Sequence, residues 1–329
     1  MNLTFQLIDP AGEALLLVHT PVPREAYADL TRRLLAIREL APRQVAFLTA
    51  PTQGGVVRVE TAAAFCGGEV LRQAAFAFAV AREIRRERKV PVEGDGWPEA
   101  LPAQVNPLTG QATLDFPLPQ VQPGQGERGD RLLFPGVAWA LQKGGALPSE
   151  AALAPALQAL AQETERPAAG LLVWDFRAQT LETALWTAQD AALTHPRRCA
   201  AGGAAAAAWQ ALRSREGRQT WPLRQPGGPL EVTTVTQGRQ LKRLSVAGPV
   251  DLGPVYTVEF LTDRKRRERL SRRSLLLVSR KNRLWSNHRR FFLGVNPPGI
   301  SPKIGGCAPA GGCRRRPPAS PPPPPRRRP

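Results

Sequence analysis

Two cysteines carry the chemistry this sequence offers. Cys66 stands in Phe65-Cys66-Gly67-Gly68-Glu69-Val70-Leu71, where an extended, alanine-lined approach turns into a helix. Cys199 stands in Cys199-Ala200-Ala201-Gly202-Gly203, just ahead of Ala204–Ala208. Inverting a carbon centre without a cofactor requires removing a proton from one face and returning one to the other. One group must then be deprotonated while its opposite is protonated. Thiols suit the task, because an ordinary cysteine pKa of about 8.5 can be lowered at a helix N-terminus. The first backbone N–H groups of both helices, at Gly67, Gly68, Ala200 and Ala201, would grip a carboxylate and spread carbanion charge over their dipoles. A single cysteine is more often a small buried apolar residue than a reagent. Two of them, one per half in matching small-residue settings, favour function. The expectation is a 1,1-proton transfer at the α-carbon of a free amino acid, with Cys66 and Cys199 as acid and base and neither cofactor nor metal.

The elements needed to position those thiols are legible in outline. Leu3, Phe5 and Leu7 alternate with polar residues as in a half-buried strand. Ala14–Val18, Gln44–Thr49 and Val56–Thr61 read as further strands, and Tyr27, Leu30, Leu34 and Ile37 have helical spacing. The helix behind Cys66 is expected to run to about Arg88, followed by a Pro- and Gly-rich loop over 90–107 and a strand at 113–118. Gln122–Asp130 is the best candidate for a linker. The second half repeats the grammar, with a helix at 149–163, strands at 170–176 and 180–188, the helix behind Cys199 fading near Gly217, and strands at 230–236, 242–246 and 255–260. Single helices interleaved with strands predict an α+β fold of two pseudo-symmetric lobes, 1–128 and 129–260. Each would be a curved, mostly antiparallel sheet wrapped around a central helix.

Composition sets limits. Residues 261–329 hold 19 Lys/Arg and 2 Asp/Glu, which is +17 of the chain's net +18 and leaves the body near neutral. The charge therefore describes a basic Pro/Arg-rich tail, expected to be disordered, and nucleic acid is an expected partner only through that tail. The runs of apolar residues fall short of the roughly 18 that a membrane span needs, and the start of the chain lacks a secretory pattern, so a cytoplasmic setting is expected. Cys307 and Cys313 lack partners at zinc spacing. His195, Arg197 and Arg198, next to Cys199, could orient or bind a substrate, although surface solvation is the commoner role for such residues.

The segments carrying the cysteines resemble the diaminopimelate epimerase superfamily, in particular its amino-acid racemase branch that includes histidine racemases of opine-metallophore pathways. The resemblance covers roughly residues 1–260. Ala64-Phe65-Cys66-Gly67-Gly68 is similar to the family's Glu-Phe-Cys-Gly-Asn motif, and Arg198-Cys199-Ala200-Ala201-Gly202-Gly203-Ala204-Ala205 to its second-cysteine motif. Pro10-Ala11-Gly12-Glu13, Arg43-Gln44-Val45-Ala46-Phe47, Gln225-Pro226-Gly227-Gly228 and Val246-Ala247-Gly248-Pro249-Val250 fall in the family's order. The resemblance implies a cofactor-independent racemase, histidine being the first substrate expected and diaminopimelate the second, and leaves a homodimer open. It also implies substrate contacts at Glu13, Gly67, Gly68, Ala200 and Ala201. Several positions depart from the pattern. Glu13 and Gly68 replace substrate-binding asparagines, Ala201 and Gly203 replace Ser and Thr, Arg197 replaces a Glu, and Trp139 lies near a position often held by His. The alternative is a repurposed, noncatalytic member of the fold that binds an amino-acid-like ligand.

Overall fold

A computed structural model describes residues 2–9, 11–122, 130–189 and 191–259. Most of the expected linker, the basic tail, and Cys307 and Cys313 lie outside these residues. The described chain forms one continuous, mostly antiparallel sheet of seventeen strands, with four α-helices.

Its wiring is a repeat. In the first half, β1 (Asn2–Ile8) pairs antiparallel with β2 (Leu15–Val18), and α1 (Tyr27–Leu35) leads to β3 (Gln44–Thr49), parallel to β2. β4 (Val57–Glu60) runs antiparallel to β3. Then α2 (Gly68–Ala81) leads to β5 (Arg88–Gly94), parallel to β4, and β6 (Leu101–Asn106) and β7 (Gln111–Asp115) follow antiparallel. After the short β8 (Gln120–Gln122), the second half does the same. β9 (Arg131–Leu133) pairs antiparallel with β10 (Val137–Lys143), and α3 (Glu150–Thr164) leads to the parallel β11 (Ala168–Asp175). Antiparallel β12 (Thr180–Thr187), with β13 (Ala192–Thr194) on its edge, precedes α4 (Ala200–Ala211). β14 (Gly217–Gln225) is parallel to β12, and β15 (Gly228–Gln237) and β16 (Gln240–Pro249) close the repeat. The order strand, helix, parallel strand, antiparallel strand, helix thus occurs twice, and these are the two lobes.

Three local readings change. α2 stops at Ala81, so Arg82, Arg85 and Arg86 lie beyond the helix rather than in its last turn. The segment read as a loop over 90–107 contains β5 and β6, paired with Pro91 opposite Pro102. Two prolines in register leave no strand signal in the sequence, yet each lacks only a donor, and the flanking residues complete the ladder. β14 also went unread, for its Pro222.

The last strands cross the expected boundary between the lobes. Ser245–Pro249 of β16 pair with β7, so the final strands of the two repeats join the lobes edge to edge. β17 (Leu252–Glu259), placed by its sequence position in the second lobe, pairs with β1 of the first.

α2 and α4 are the cores of their lobes. Every residue from Gly68 to Ala79 is buried, and Ala204–Ala208 are completely so. Such helices present no face to solvent because sheet surrounds them, and alanine lets the strands approach the helix axis closely. α1 and α3 are amphipathic by contrast. Tyr27, Leu30 and Leu34 cover Phe5 and Phe47, and Leu153, Leu157 and Leu160 cover Ala138, Ala169 and Trp186. No helix among the described residues is long and apolar enough to cross a membrane.

Candidate functional site

Both cysteines stand at the starts of the central helices, and the two helices touch. Cys199 is the N-cap of α4. Its backbone is extended, its Sγ accepts the N–H of Gly202 at 3.3 Å, and its own N–H donates to Gln225 Oε1 at 2.6 Å. The sulfur takes the place of the usual capping oxygen, satisfying one of the first orphan N–H groups of the helix. Cys66 precedes the α2 N-cap, Gly67. Its Sγ donates to the Val59 carbonyl of β4 at 3.2 Å, and its carbonyl accepts the Trp97 indole N–H at 2.8 Å.

The expected lowering of the thiol pKa values does not occur. Both cysteines are free and buried. Burial pushes Cys199 up to about 12, and the carboxylates of Glu13 and Glu69 add to the rise against the helix N–H groups. Burial, then Asp95, raise Cys66 further still. Desolvation of a thiolate outweighs the helix terminus here. The sign of the consequence is definite. Cys199 moves from the ordinary thiol range to about 12, so the stability it contributes is fully present below about pH 8 and is lost as pH rises toward 12. Unfolding midpoints measured from pH 8 to 11 should fall more steeply for the native chain than for Cys199→Ala.

A charged cluster fills the space between the lobes. The Arg198 guanidinium lies 2.9 Å (Nε) from Glu69 Oε1 and also pairs with Asp9. Glu69, in the first turn of α2 where the helix dipole favours an anion, also takes Arg72 at 2.6 Å. Arg72 donates onward to the carbonyls of Ala112, Gly248 and Pro249, beneath the β7–β16 seam. Glu13 accepts the Arg198 backbone N–H at 2.9 Å and Gln44 Nε2 at 3.3 Å, and burial raises its pKa. Gln73 Nε2 lies within 3.3 Å of Asp9, Glu69 and the Glu13 carbonyl.

The expected site residues are thus partly assembled. Ala200 and Ala201 form the buried first turn of α4. Gly67 is open, and a Cβ there would meet nothing within 4 Å. Gly68 is covered, since a Cβ there would stand 2.3 Å from the Phe116 ring. Phe116 thus takes the volume of the asparagine side chain that the resemblance leads one to expect. Gly68→Asn should therefore destabilise the fold by about 1–3 kcal/mol through overpacking, and by less in a Phe116→Ala background, as a double-mutant cycle by urea unfolding would show.

Glu13 is engaged by Arg198 and Gln44 rather than free. His195 lies on the surface, 3.4 Å from Glu150 of α3. Arg197 holds the turn after β14, donating to the Pro226 carbonyl. Trp139 is core, packed over Gly170. Sequence reasoning missed Asp9, Glu69, Arg72 and Gln73. The signal available was polar residues, Glu69, Arg72 and Gln73, at i, i+3 and i+4 in a helix otherwise apolar on every face. Cavities of about 860, 540 and 390 Å³ lie elsewhere, lined by other residues than the two cysteines.

Comparisons of sequence find no matching family model and no matching curated relative. Comparison of structures finds the fold. A phenazine biosynthesis protein of the PhzF family from Bacillus anthracis superposes with a TM-score of 0.56 at 10% identity, covering 79% of this chain and 100% of that one. A predicted epimerase from Pseudomonas aeruginosa gives 0.56 at 15%, covering 80% and 100%. A hydroxyproline epimerase from Agrobacterium vitis, with bound trans-4-hydroxy-L-proline, gives 0.52 at 14%, covering 78% and 91%. The chain shares the fold of these PhzF-family and epimerase structures, and at 10–15% identity the likeness is one of architecture. The chain has the two-lobed α+β form of that fold, with one cysteine at the start of each central helix.

Proposed function

We propose that the chain is a cofactor-independent isomerase of the racemase or epimerase type. It would invert the α-carbon of a free amino acid by proton transfer between Cys66 and Cys199. The observation that supports this reading is the duplicated placement of the thiols. Each lobe sets one free, buried cysteine at the start of its central helix, and those helices touch. In each direction one thiolate takes the Cα proton as the opposite thiol delivers its own to the other face, so the protonation of the pair is exchanged rather than consumed. The N–H groups at Gly67, Gly68, Ala200 and Ala201 would hold the substrate carboxylate. Substrate entry requires the Arg198 bridge to open. Among solved proteins of this fold the hydroxyproline epimerase holds an amino acid, which fits this substrate class. Histidine is the first substrate to test and diaminopimelate the second. The lobe limits 1–128 and 129–260, with β17 lent to the sheet of the first lobe, a homodimer and a cytoplasmic setting belong to the same proposal.

The test is exchange of solvent deuterium into the α-position of a panel of L-amino acids by the reduced protein, followed by NMR. Exchange with at least one of them is the expected result, and silence across the panel sinks the reading. A second reading is supported by the Arg198 bridge to Glu69 and Asp9, which fills the interlobe space. In it the fold binds an amino-acid-like ligand without proton transfer. Ligand binding by calorimetry without deuterium exchange would select it.

A further inference from the structure

The charges between the lobes do not balance. Asp9, Glu13 and Glu69 face Arg72 and Arg198, and all five are more than nine-tenths buried. Glu69 serves both guanidinium groups, Asp9 serves Arg198 and Gln73, and Glu13 accepts the uncharged N–H groups of Arg198 and Gln44. At the middle of the cluster Gln73 is completely buried, and its Oε1 has no hydrogen-bond partner. Turning the amide does not cure this, because Nε2 already lies against three acceptors. The cluster therefore has one carboxylate too many and one buried acceptor without a donor. Both defects are costly in a dry interior, and both are relieved by the same thing, a positively charged donor.

We propose that a ligand supplies it: the cleft takes an amino acid with a cationic side chain, whose ammonium or guanidinium group enters between Asp9 and Glu69, opening the Arg198 bridge while Arg198 stays within the cluster. This rests on reading the cleft as an amino-acid site. An apolar side chain leaves Gln73 Oε1 unpaired, and an anionic one adds to the surplus. A metal ion is the poorer match, since among the described residues no three carboxylate, thiol or imidazole groups are placed to ligate one. The bound cation also bears on the chemistry. Glu13 and Glu69 both raise the Cys199 thiol, so a cation between the lobes brings that thiol back toward a working range.

Calorimetric titration of Cys199→Ala protein, which separates binding from turnover, decides the matter. L-lysine, L-ornithine and L-arginine should bind at least tenfold more tightly than L-norleucine, and L-glutamate should bind more weakly than norleucine. Glu69→Gln should reduce the preference for cations by about tenfold. Because that variant can fail to fold, Gln73→Met serves beside it and should reduce the preference several-fold. Norleucine or glutamate binding as tightly as lysine overturns the inference, and so does competition by magnesium chloride at equal ionic strength. Deuterium exchange in the native chain is read separately. Lysine that binds without exchanging leaves the inference standing and removes the catalytic reading. Exchange confined to norleucine or glutamate does the reverse.

Discussion

Glu69→Leu is expected to lower the unfolding free energy by about 3–5 kcal/mol, the cost of removing one partner from a buried ion pair. Two guanidinium groups depend on that carboxylate, and neither has another route to water. Arg72 is completely buried and Arg198 is 2% exposed. Without Glu69, Arg72 keeps the carbonyls of Ala112, Gly248 and Pro249 but has no counter-ion among its contacts, while Arg198 keeps Asp9. The damage falls where the lobes meet, because Arg72 spans β7 and β16 and Arg198 spans the two helix starts. Urea unfolding should show a lower midpoint with an unchanged slope. The companion Glu69→Leu/Arg198→Leu should recover part of the loss, because one stranded cation goes with the carboxylate. A loss below about 1 kcal/mol would mean that water or a rearranged side chain already screens the pair.

That cluster marks the limit of what was legible from sequence. Periodicity reveals faces, so the amphipathic α1 and α3 and the alternating β1 were readable, and the small-residue runs behind Cys66 and Cys199 located α2 and α4. Glycine and proline mislead where tertiary pairing overrides local preference, which is how β5, β6 and β14 escaped notice. The repeated wiring explains why a two-lobed reading succeeded without any match in sequence. Each lobe needs only one strand-helix-strand grammar, and the chain spells it twice. The exchange of β17 to the first lobe could not be read, since strand partners far apart in sequence leave no local trace. The same holds for Arg198. Beside Cys199 in sequence it looks like a surface charge, and only the fold brings it to Glu69 and Asp9. The thiol pKa values were misread for a related reason. A helix N-terminus is visible in the sequence, whereas the burial that outweighs it is a property of the assembled core.

Replacing either thiol should abolish inversion while leaving the fold intact: Cys66→Ala and Cys199→Ala are each expected to reduce turnover by about 10²–10⁴-fold, the usual worth of a positioned acid or base. Each variant loses one sulfur hydrogen bond, the cap of α4 in Cys199→Ala, so stability at pH 7 should fall by about 0.5–2 kcal/mol while the chain stays folded, and that separates loss of chemistry from loss of structure. The pH profile makes the prediction sharper. In the free protein Cys199 is pushed up to about 12, and kcat/KM reports the groups of the free enzyme. The thiolate fraction therefore grows about tenfold with each pH unit through the neutral range. Deuterium exchange at low substrate should climb with that slope from pH 7 to 9 without levelling. At saturating substrate the slope should flatten, if a bound cation offsets Glu13 and Glu69 and lowers the thiol within the complex. A plateau below pH 8 at low substrate would show that the thiol is already ionised before ligand binds, and the buried setting of Cys199 would not be the reactive one. Equal activity in Cys66→Ala and the native chain would remove the two-base mechanism, because a single thiol cannot serve both faces of one carbon.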